Sequence, residues 1–472
     1  MLPASKPFRS VPKIWIDVIA THSAKESDYV RKENLLGLMP NTQPYFCPLS
    51  NEATKAPSSV RLAWLMLFAL ASAFMLSQAF RTVAAIMGPP LAQELALSKQ
   101  RLGLWSATFH FAFGLMQLLF GVSIDLWGVR RTILAVFPVA VLGALVSALA
   151  PGYPVLLIGQ AMIGAGCAPA FLVCTVFIAR HFSAERFTAT SGLVMSLSGL
   201  GTLLTATPLA ALIETTSWRW SYATLALLGM LAWLAIFLRV RETALPTASS
   251  AAAKPRQSVR QALGGLLQLF RLPQTAGLVA YAAVAYAGFI TLRGLWLGPV
   301  LIERHGLTLL QSGNVALLVT LGNIASPALM GRISPRGPRR ARWMLTCALT
   351  AAALLLGMAV ARSLWLDVAL PIIYGMISGY GVMQYGYVHE AYPEAVRGRA
   401  LSLLTMAMFL GVSLMQWVTG LAASVAQSLG LEPTTAALAV MGLMLATGGI
   451  AFILLPRAHA PIPRPHDSDA PV

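Results

Sequence analysis

From residue 63 to residue 456 the chain alternates between long apolar stretches and short polar ones. Twelve apolar runs stand near 63–87, 101–122, 131–150, 154–179, 188–213, 221–240, 275–300, 310–331, 342–361, 367–388, 400–427 and 434–456. Each has about the twenty residues that a helix needs to cross a bilayer. None shows the roughly ten-residue alternation of a membrane barrel strand. The pattern predicts an all-α polytopic membrane protein with twelve transmembrane helices. The longest internal polar stretch, 241–272, carries Arg241, Lys254, Arg256, Arg260 and Arg271 among Pro, Ala and Ser. It reads as a cytoplasmic linker between two six-helix halves, 61–240 and 273–456.

The ends are of another kind. Residues 1–60 are rich in Pro, Ser, Lys and Asn, and their apolar Ile14-Trp15-Ile16 is too short to span. The basic start, apolar core and cleavage site of a signal peptide are not there in order. This segment is expected to be a disordered cytoplasmic extension, and 457–472 a cytoplasmic tail.

Composition agrees with the membrane reading: 57% of residues are hydrophobic and 11% charged, against about 25% charged in soluble domains. The net charge of +17 does not point to nucleic acid, because the basic residues gather in alternate loops and no nucleic-acid motif accompanies them. One set of loops holds Arg130 and Arg131, Arg180 and Arg186, the linker, Arg332, Arg336, Arg339, Arg340 and Arg342, then Arg397 and Arg399. The opposite set holds Lys99, Arg101, Arg219, Arg304 and Arg362. The positive-inside rule then puts both termini in the cytoplasm, the protein being multi-pass in the cell (inner) membrane. Cys47, Cys167, Cys174 and Cys347 show no metal spacing and are read as reduced packing residues. No phosphate-binding loop, serine elbow or metal cluster is present, so no catalytic residue, cofactor or metal is expected.

The halves repeat. Gly121-Val-Ser-Ile-Asp125-Leu-Trp-Gly128-Val-Arg130-Arg131 follows the second run, and Gly331-Arg-Ile-Ser-Pro335-Arg-Gly337-Pro-Arg339-Arg340 follows the eighth, about 210 residues on. The first copy resembles the G-x-x-x-D-x-x-G-x-R-R/K loop of the major facilitator superfamily. Ser217-Trp218-Arg219-Trp220 is similar to that superfamily too. The resemblance covers about 61–456. It implies the major facilitator fold, with a substrate site between the halves and a gate in which Gly121, Asp125, Gly128, Arg130 and Arg131 take part. The second copy has Pro335 in place of the acid, so gate pairing is expected to be asymmetric.

Two basic residues lie deep in the runs, Arg81 and Arg293. A guanidinium there costs about 2.5–3.5 kcal/mol on insertion scales, so it normally faces protein or water. They are 212 positions apart, close to the repeat offset, and so at equivalent heights in the first and seventh runs. Two guanidiniums facing one cavity repel unless an anion lies between them, and the arginine fork suits carboxylate or phosphate. No acid is deep in a run, which argues against a cationic substrate. Phe80-Arg81-Thr-Val-Ala-Ala-Ile-Met-Gly-Pro89 and Thr291-Leu292-Arg293-Gly-Leu-Trp296-Leu-Gly-Pro299 resemble the corresponding helices of organophosphate:phosphate antiporters and of anion:cation symporters. That resemblance implies that both arginines bind the substrate anion.

Other candidates surround them. His110, Phe113 and Gln117 share a helix face; His110 is also a candidate proton relay. Ser77 and Gln78 share the face of Arg81, and Trp296 follows Arg293 by three residues. Thr320 pairs with Asn323, and Tyr380, Gln384 and Tyr387 form a stripe. Gly159-Gln160-Ala-Met-Ile-Gly164-Ala-Gly-Cys167-Ala-Pro169 matches R-x-x-x-G-x-x-E-A-P of proton-coupled anion symporters, with Gln160 for the arginine and Cys167 for the glutamate. The usual proton carrier is therefore missing, leaving exchange, facilitated transport or a relay through His110.

The expectation is a monomeric alternating-access transporter of a small organic anion clamped by Arg81 and Arg293, with a proton as a candidate coupling ion. Monocarboxylates, sugar acids, phosphate esters and inorganic oxyanions all remain open. The alternatives are an exporter of neutral or hydrophobic compounds with structural arginines, and a non-transporting membrane ligand sensor.

Overall fold

The computed structural model describes residues 57–241, 259–333, 335 and 338–456. These are helical almost throughout, with no strand among them. The expected extension before residue 57, the tail after 456 and much of the linker lie outside the described residues.

Among the described residues, eleven helices are long and apolar enough to cross a membrane. Span 1 is Arg61–Thr82, span 3 Trp127–Ala148, span 4 Tyr153–His181, span 5 Ala189–Thr215 and span 6 Trp218–Arg239. Span 7 is Gln274–Arg304, span 8 Leu309–Ile333, span 9 Arg339–Ala361, span 10 Leu364–Ala391, span 11 Val396–Ser428 and span 12 Pro433–Leu454. The twelfth member, span 2, is the first of two helices that meet at a kink within Lys99–Ala148. Gly128 turns that helix into span 3 at φ 83°, a left-handed conformation that glycine alone takes without a Cβ penalty.

Lipid offers no hydrophobic drive between helices, so close approach of small residues holds the bundle together. Within the halves, a Cβ on Gly164 would lie 2.2 Å from the Phe109 carbonyl, and one on Gly411 would lie 1.9 Å from that of Ala283. The halves meet along two seams. In one, span 2 packs on span 11, where a Cβ on Gly103 would come 2.9 Å from the Gly420 Cα. In the other, span 5 packs on span 8, with Gly313 against Thr207 and Ala210.

One end of the bundle is sealed between the halves. Lys99 pairs with Glu303, the Gln100 N–H donates to Ser424 Oγ at 2.8 Å, and the Leu310 N–H donates to Glu214 Oε1 at 2.8 Å. Among the described residues Lys99–Glu303 is the one ion pair that joins the halves. Behind the seal, Arg304 at the end of span 7 is fastened to Asp367 at 2.9 Å and to Glu432 at 2.5 Å, and His305 reaches the same Asp367 at 2.7 Å.

The loop motif is at the opposite end. Arg130 donates from Nε to the Val240 carbonyl at 2.6 Å and from Nη2 to the Phe237 carbonyl at 3.2 Å. It thus satisfies the orphan carbonyls at the negative end of span 6. Arg131 is exposed. The side chain of Asp125 and the surroundings of Gly121 lie outside the described residues. In the second copy Arg340 donates to the Pro335 carbonyl at 3.0 Å and pairs with Glu390 at 3.3 Å, so an acid from span 10 serves where the loop has none.

Candidate functional site

Among the described residues, regular α-helix is interrupted in five spans of one bundle interior, span 5 among them, between Leu204 and Thr207. Span 1 breaks between Thr82 and Ala84, span 4 between Cys167 and Ala170. Span 7 winds into a π-helix over Leu292–Trp296, and span 10 tightens into a 3₁₀ turn over Ser378–Gly381. The breaks adjoin one another. Ser77 Oγ donates to the Cys167 carbonyl at 3.5 Å, and a Cβ on Gly294 would lie 3.2 Å from the Arg81 carbonyl. Broken backbone at membrane depth survives only where it is buried in protein or lines a wet cavity.

Both deep arginines sit at this level. Arg81 is 7% exposed and donates from Nη2 to Ser77 Oγ at 3.5 Å. Its Cζ lies 4.6 Å from the Phe113 ring centroid and 4.8 Å from that of Phe409, and the two centroids are 4.2 Å apart. Those lengths make a nearly equilateral triangle, so the rings form one floor under the guanidinium rather than a sandwich around it. Phe113 comes from span 2 and Phe409 from span 11, so the floor straddles a seam. The Arg81 Nε is buried without a partner.

Arg293 is fully buried. Its Nε donates to Thr320 Oγ1 at 3.0 Å, its Nη2 to the Thr202 carbonyl at 3.3 Å, and its Nη1 has no partner. Thr202 lies in the last turn before span 5 breaks at Thr205. The Thr205 hydroxyl bonds the same carbonyl at 3.0 Å and meets the Thr82 hydroxyl at 2.7 Å. The two arginines thus share a level while their heads turn to different seams, Arg81 to spans 2 and 11, Arg293 to spans 5 and 8. Among the described residues neither has a carboxylate partner.

His110 is buried, with Nδ1 3.1 Å from Gln416 Oε1 and 3.4 Å from the Ser106 carbonyl. Both neighbours accept, so Nδ1 carries the hydrogen and the unpartnered Nε2 presents a lone pair. Gln117 donates to the Ala168 carbonyl at 3.2 Å, satisfying the break in span 4. Gln78 is half-buried on the Arg81 face. Gln384 is fully buried, and neither its amide nitrogen nor its oxygen has a partner. Three other candidates tie spans together: Trp296 Nε1 donates to Thr419 at 2.9 Å, Tyr380 to the Ala285 carbonyl at 2.8 Å, and Asn323 to Ser378 at 2.7 Å. Gln160 bonds the Tyr222 hydroxyl at 2.9 Å.

Sequence reasoning passed over Phe409, Gln416, Thr202 and Tyr385. Gln416 had a signal, being an amide in an apolar run seven residues from Phe409 and so on its face. Tyr385, in span 10, is 38% exposed, with its hydroxyl 4.0 Å from Met408 Sδ.

The Major Facilitator Superfamily profile matches residues 69–416 and, in a second match, 299–471. The hexuronate transporter of Bacillus subtilis (strain 168) is 24% identical over 230 residues, which are 48% of this chain and 54% of that protein. The match thus spans only about half the length of that relative. The cyanate transport protein CynX of Escherichia coli (strain K12) is 26% identical over 339 residues, 70% of this chain and 82% of that protein. The crystal structure of a bacterial homolog to the human lysosomal transporter Spinster, inward-facing and unoccupied, superposes with a TM-score of 0.65 at 16% identity, over 83% of this chain and 95% of that one.

Proposed function

The chain belongs to the major facilitator superfamily, a family of multi-pass transporters rather than enzymes, and on that premise we propose that it moves a small organic anion across the membrane by alternating access. One observation carries the sign of the substrate. Arg81 and Arg293 are buried at one level with no carboxylate partner among the described residues, and each keeps an unpartnered buried N–H. Buried charge is costly unless paired, and an anion between the halves supplies the pairing. Two relatives named for hexuronate and cyanate, both anions, support the same sign.

In this reading Arg81 and Arg293 hold the charged group, and Gln78, Gln117, Gln384 and His110 add neutral hydrogen bonds. Trp296, Asn323 and Tyr380 keep the broken spans in place. The sealed Lys99 end is the outer one, since the Arg-rich loops lie at the other. Both termini are then cytoplasmic, the anion reaches the site from the Arg130 end, and the Gly121–Arg131 loop takes part in the inner gate. The protein acts as a monomer in the cell membrane. With Gln160 and Cys167 where a proton-coupled relative keeps Arg and Glu, His110 is the candidate for any proton coupling.

Arg81→Lys and Arg293→Lys test this in proteoliposomes. Each loses the bidentate fork, and anion uptake is expected to fall about a hundredfold with membrane insertion intact. Wild-type uptake in both variants would overturn the clamp. Thermal stabilisation by lipophilic neutral compounds but by no anion would point instead to an exporter.

A further inference from the structure

We propose that the helix Val259–Leu269, in the stretch between the two halves, lies in the plane of the bilayer surface and docks on anionic phospholipid. The first argument is its level. The helix ends just before span 7, where the Thr275 hydroxyl donates to the Leu269 carbonyl at 2.6 Å and meets the Tyr392 hydroxyl at 2.9 Å. Beside it Gln274 Nε2 donates to the Ala391 carbonyl at 2.7 Å. Gln274 opens span 7 and Ala391 closes span 10, so the helix is pinned at the height where apolar spans begin and end. This is the Arg130 end of the bundle, opposite the Lys99 seal. Trp127 and Trp343 are exposed at the same end, and indole rings gather at membrane–water interfaces.

The second argument is the division of the helix surface. Leu266 and Leu269 are buried, and the helix packs on span 11 from one half and on the Lys99–Ala148 segment from the other. Leu267 and, in the turn that follows, Phe270 stay 71% and 50% exposed. Three residues apart, they share one flank of the buried stripe, while the exposed Gln268 falls on the other. A helix lying in the interface has this division, with acyl chains along one flank and water along the next.

The third argument is charge. Arg271 is exposed, two residues past the end of the helix. Arg399 packs on the helix itself, its Nη1 2.9 Å from where a Cβ on Gly265 would stand. Among the described residues neither arginine pairs with an acid. Of the acids described at this end, Glu390 is taken by Arg340, and Glu394 is exposed and forms no ion pair. Two unpaired guanidiniums beside an exposed apolar flank match both parts of a phospholipid. The headgroup phosphate suits the arginine fork, the acyl chains cover Leu267 and Phe270, and a negatively charged lipid surface attracts basic residues next to it.

The test uses the full-length protein with Cys47 and Cys347 changed to serine, carrying Leu267→Cys, Phe270→Cys or Gln268→Cys labelled with an environment-sensitive fluorophore. Each is reconstituted into vesicles of phosphatidylcholine alone or mixed equally with phosphatidylglycerol. Spin-labelled lipid is expected to quench the label at Leu267 or Phe270 about twofold or more above that at Gln268. Phosphatidylglycerol is expected to raise quenching at Leu267 and Phe270 about twofold or more, and Arg271→Gln with Arg399→Gln to erase that gain. Should Arg399→Gln fail to fold, Arg271→Gln alone, at an exposed position, decides by lowering the gain or leaving it intact. Equal quenching at Leu267 and Gln268 overturns docking by one flank. No quenching at any position, the result expected of a face that meets a soluble partner, overturns docking on lipid altogether. Equal quenching in the two lipid mixtures, or a phosphatidylglycerol gain that survives loss of both arginines, overturns recognition of the anionic headgroup.

Discussion

Arg293 in span 7 donates to the Thr202 carbonyl in span 5, so a charge carried by one half is held by the backbone of the other. The carbonyl belongs to the last turn before a helix break, where partial negative charge accumulates. Its other tether, Thr320, accepts from Nε at 3.0 Å. Thr320→Val leaves a buried charged donor unsatisfied, and is expected to cost about 1–3 kcal/mol of stability. Thermal unfolding of the detergent-purified variant checks this. An unchanged melting temperature would show that Thr320 contributes nothing to holding the guanidinium.

The seal between the halves offers a second measurement. Lys99 and Glu303 are 13% and 39% exposed at their side chains, so their attraction is screened and worth about 1 kcal/mol or less. Glu303→Lys places two like charges together and is expected to raise labelling of a cysteine introduced at the seal several-fold. The swap Lys99→Glu with Glu303→Lys restores protection. If the swap labels like the single variant, the pair has no part in sealing.

Close backbone approach at the same end is tested at Gly298. A Cβ there would lie 2.0 Å from the Ala85 carbonyl, and backbone cannot swing aside as a side chain can. Gly298→Val is expected to keep spans 1 and 7 from closing and to lower uptake by about tenfold or more. Gly192, where an added Cβ meets nothing within 4 Å, is the control, and Gly192→Ala is expected to transport normally.

Glu432 ties acid stability to the Arg304 end of span 7. Burial alone would raise its pKa, but hydrogen bonds from Thr434, Arg304 and Thr435 outweigh burial and hold the carboxyl below its ordinary 4.5. A depressed folded-state pKa contributes stability that is present above 4.5 and is lost as pH falls below it through the folded value. The wild-type melting temperature should therefore drop on acidification through that window. Glu432→Gln should begin lower and fall less steeply, and parallel curves would exclude Glu432 as a source of the acid loss.

The span pattern was legible because a bilayer imposes a length: the run at 275–300 became Gln274–Arg304, and the run at 434–456 became Pro433–Leu454. Arg81 and Arg293 were legible because a charge in an apolar run stands out. Phe409 was not, since a phenylalanine among apolar residues looks the same whether it faces lipid, core or a guanidinium. Nor did periodicity reveal where the polar atoms of Trp296 and Tyr380 point, because their partners, Thr419 and the Ala285 carbonyl, are set by tertiary packing. The π-helix carrying Arg293 has no marker in composition either.

The floor beneath Arg81 is assembled from both halves, Phe113 from one and Phe409 from the other. A floor of that kind exists only while spans 2 and 11 stand in register. If the halves tilt as the proposed alternating access requires, the guanidinium exchanges aromatic support for water, and its affinity for the proposed anion changes with it. On that proposal the site has unequal affinities on the two sides of the membrane, a bias toward capture on one side and discharge on the other that is built into the seam before any coupling ion acts.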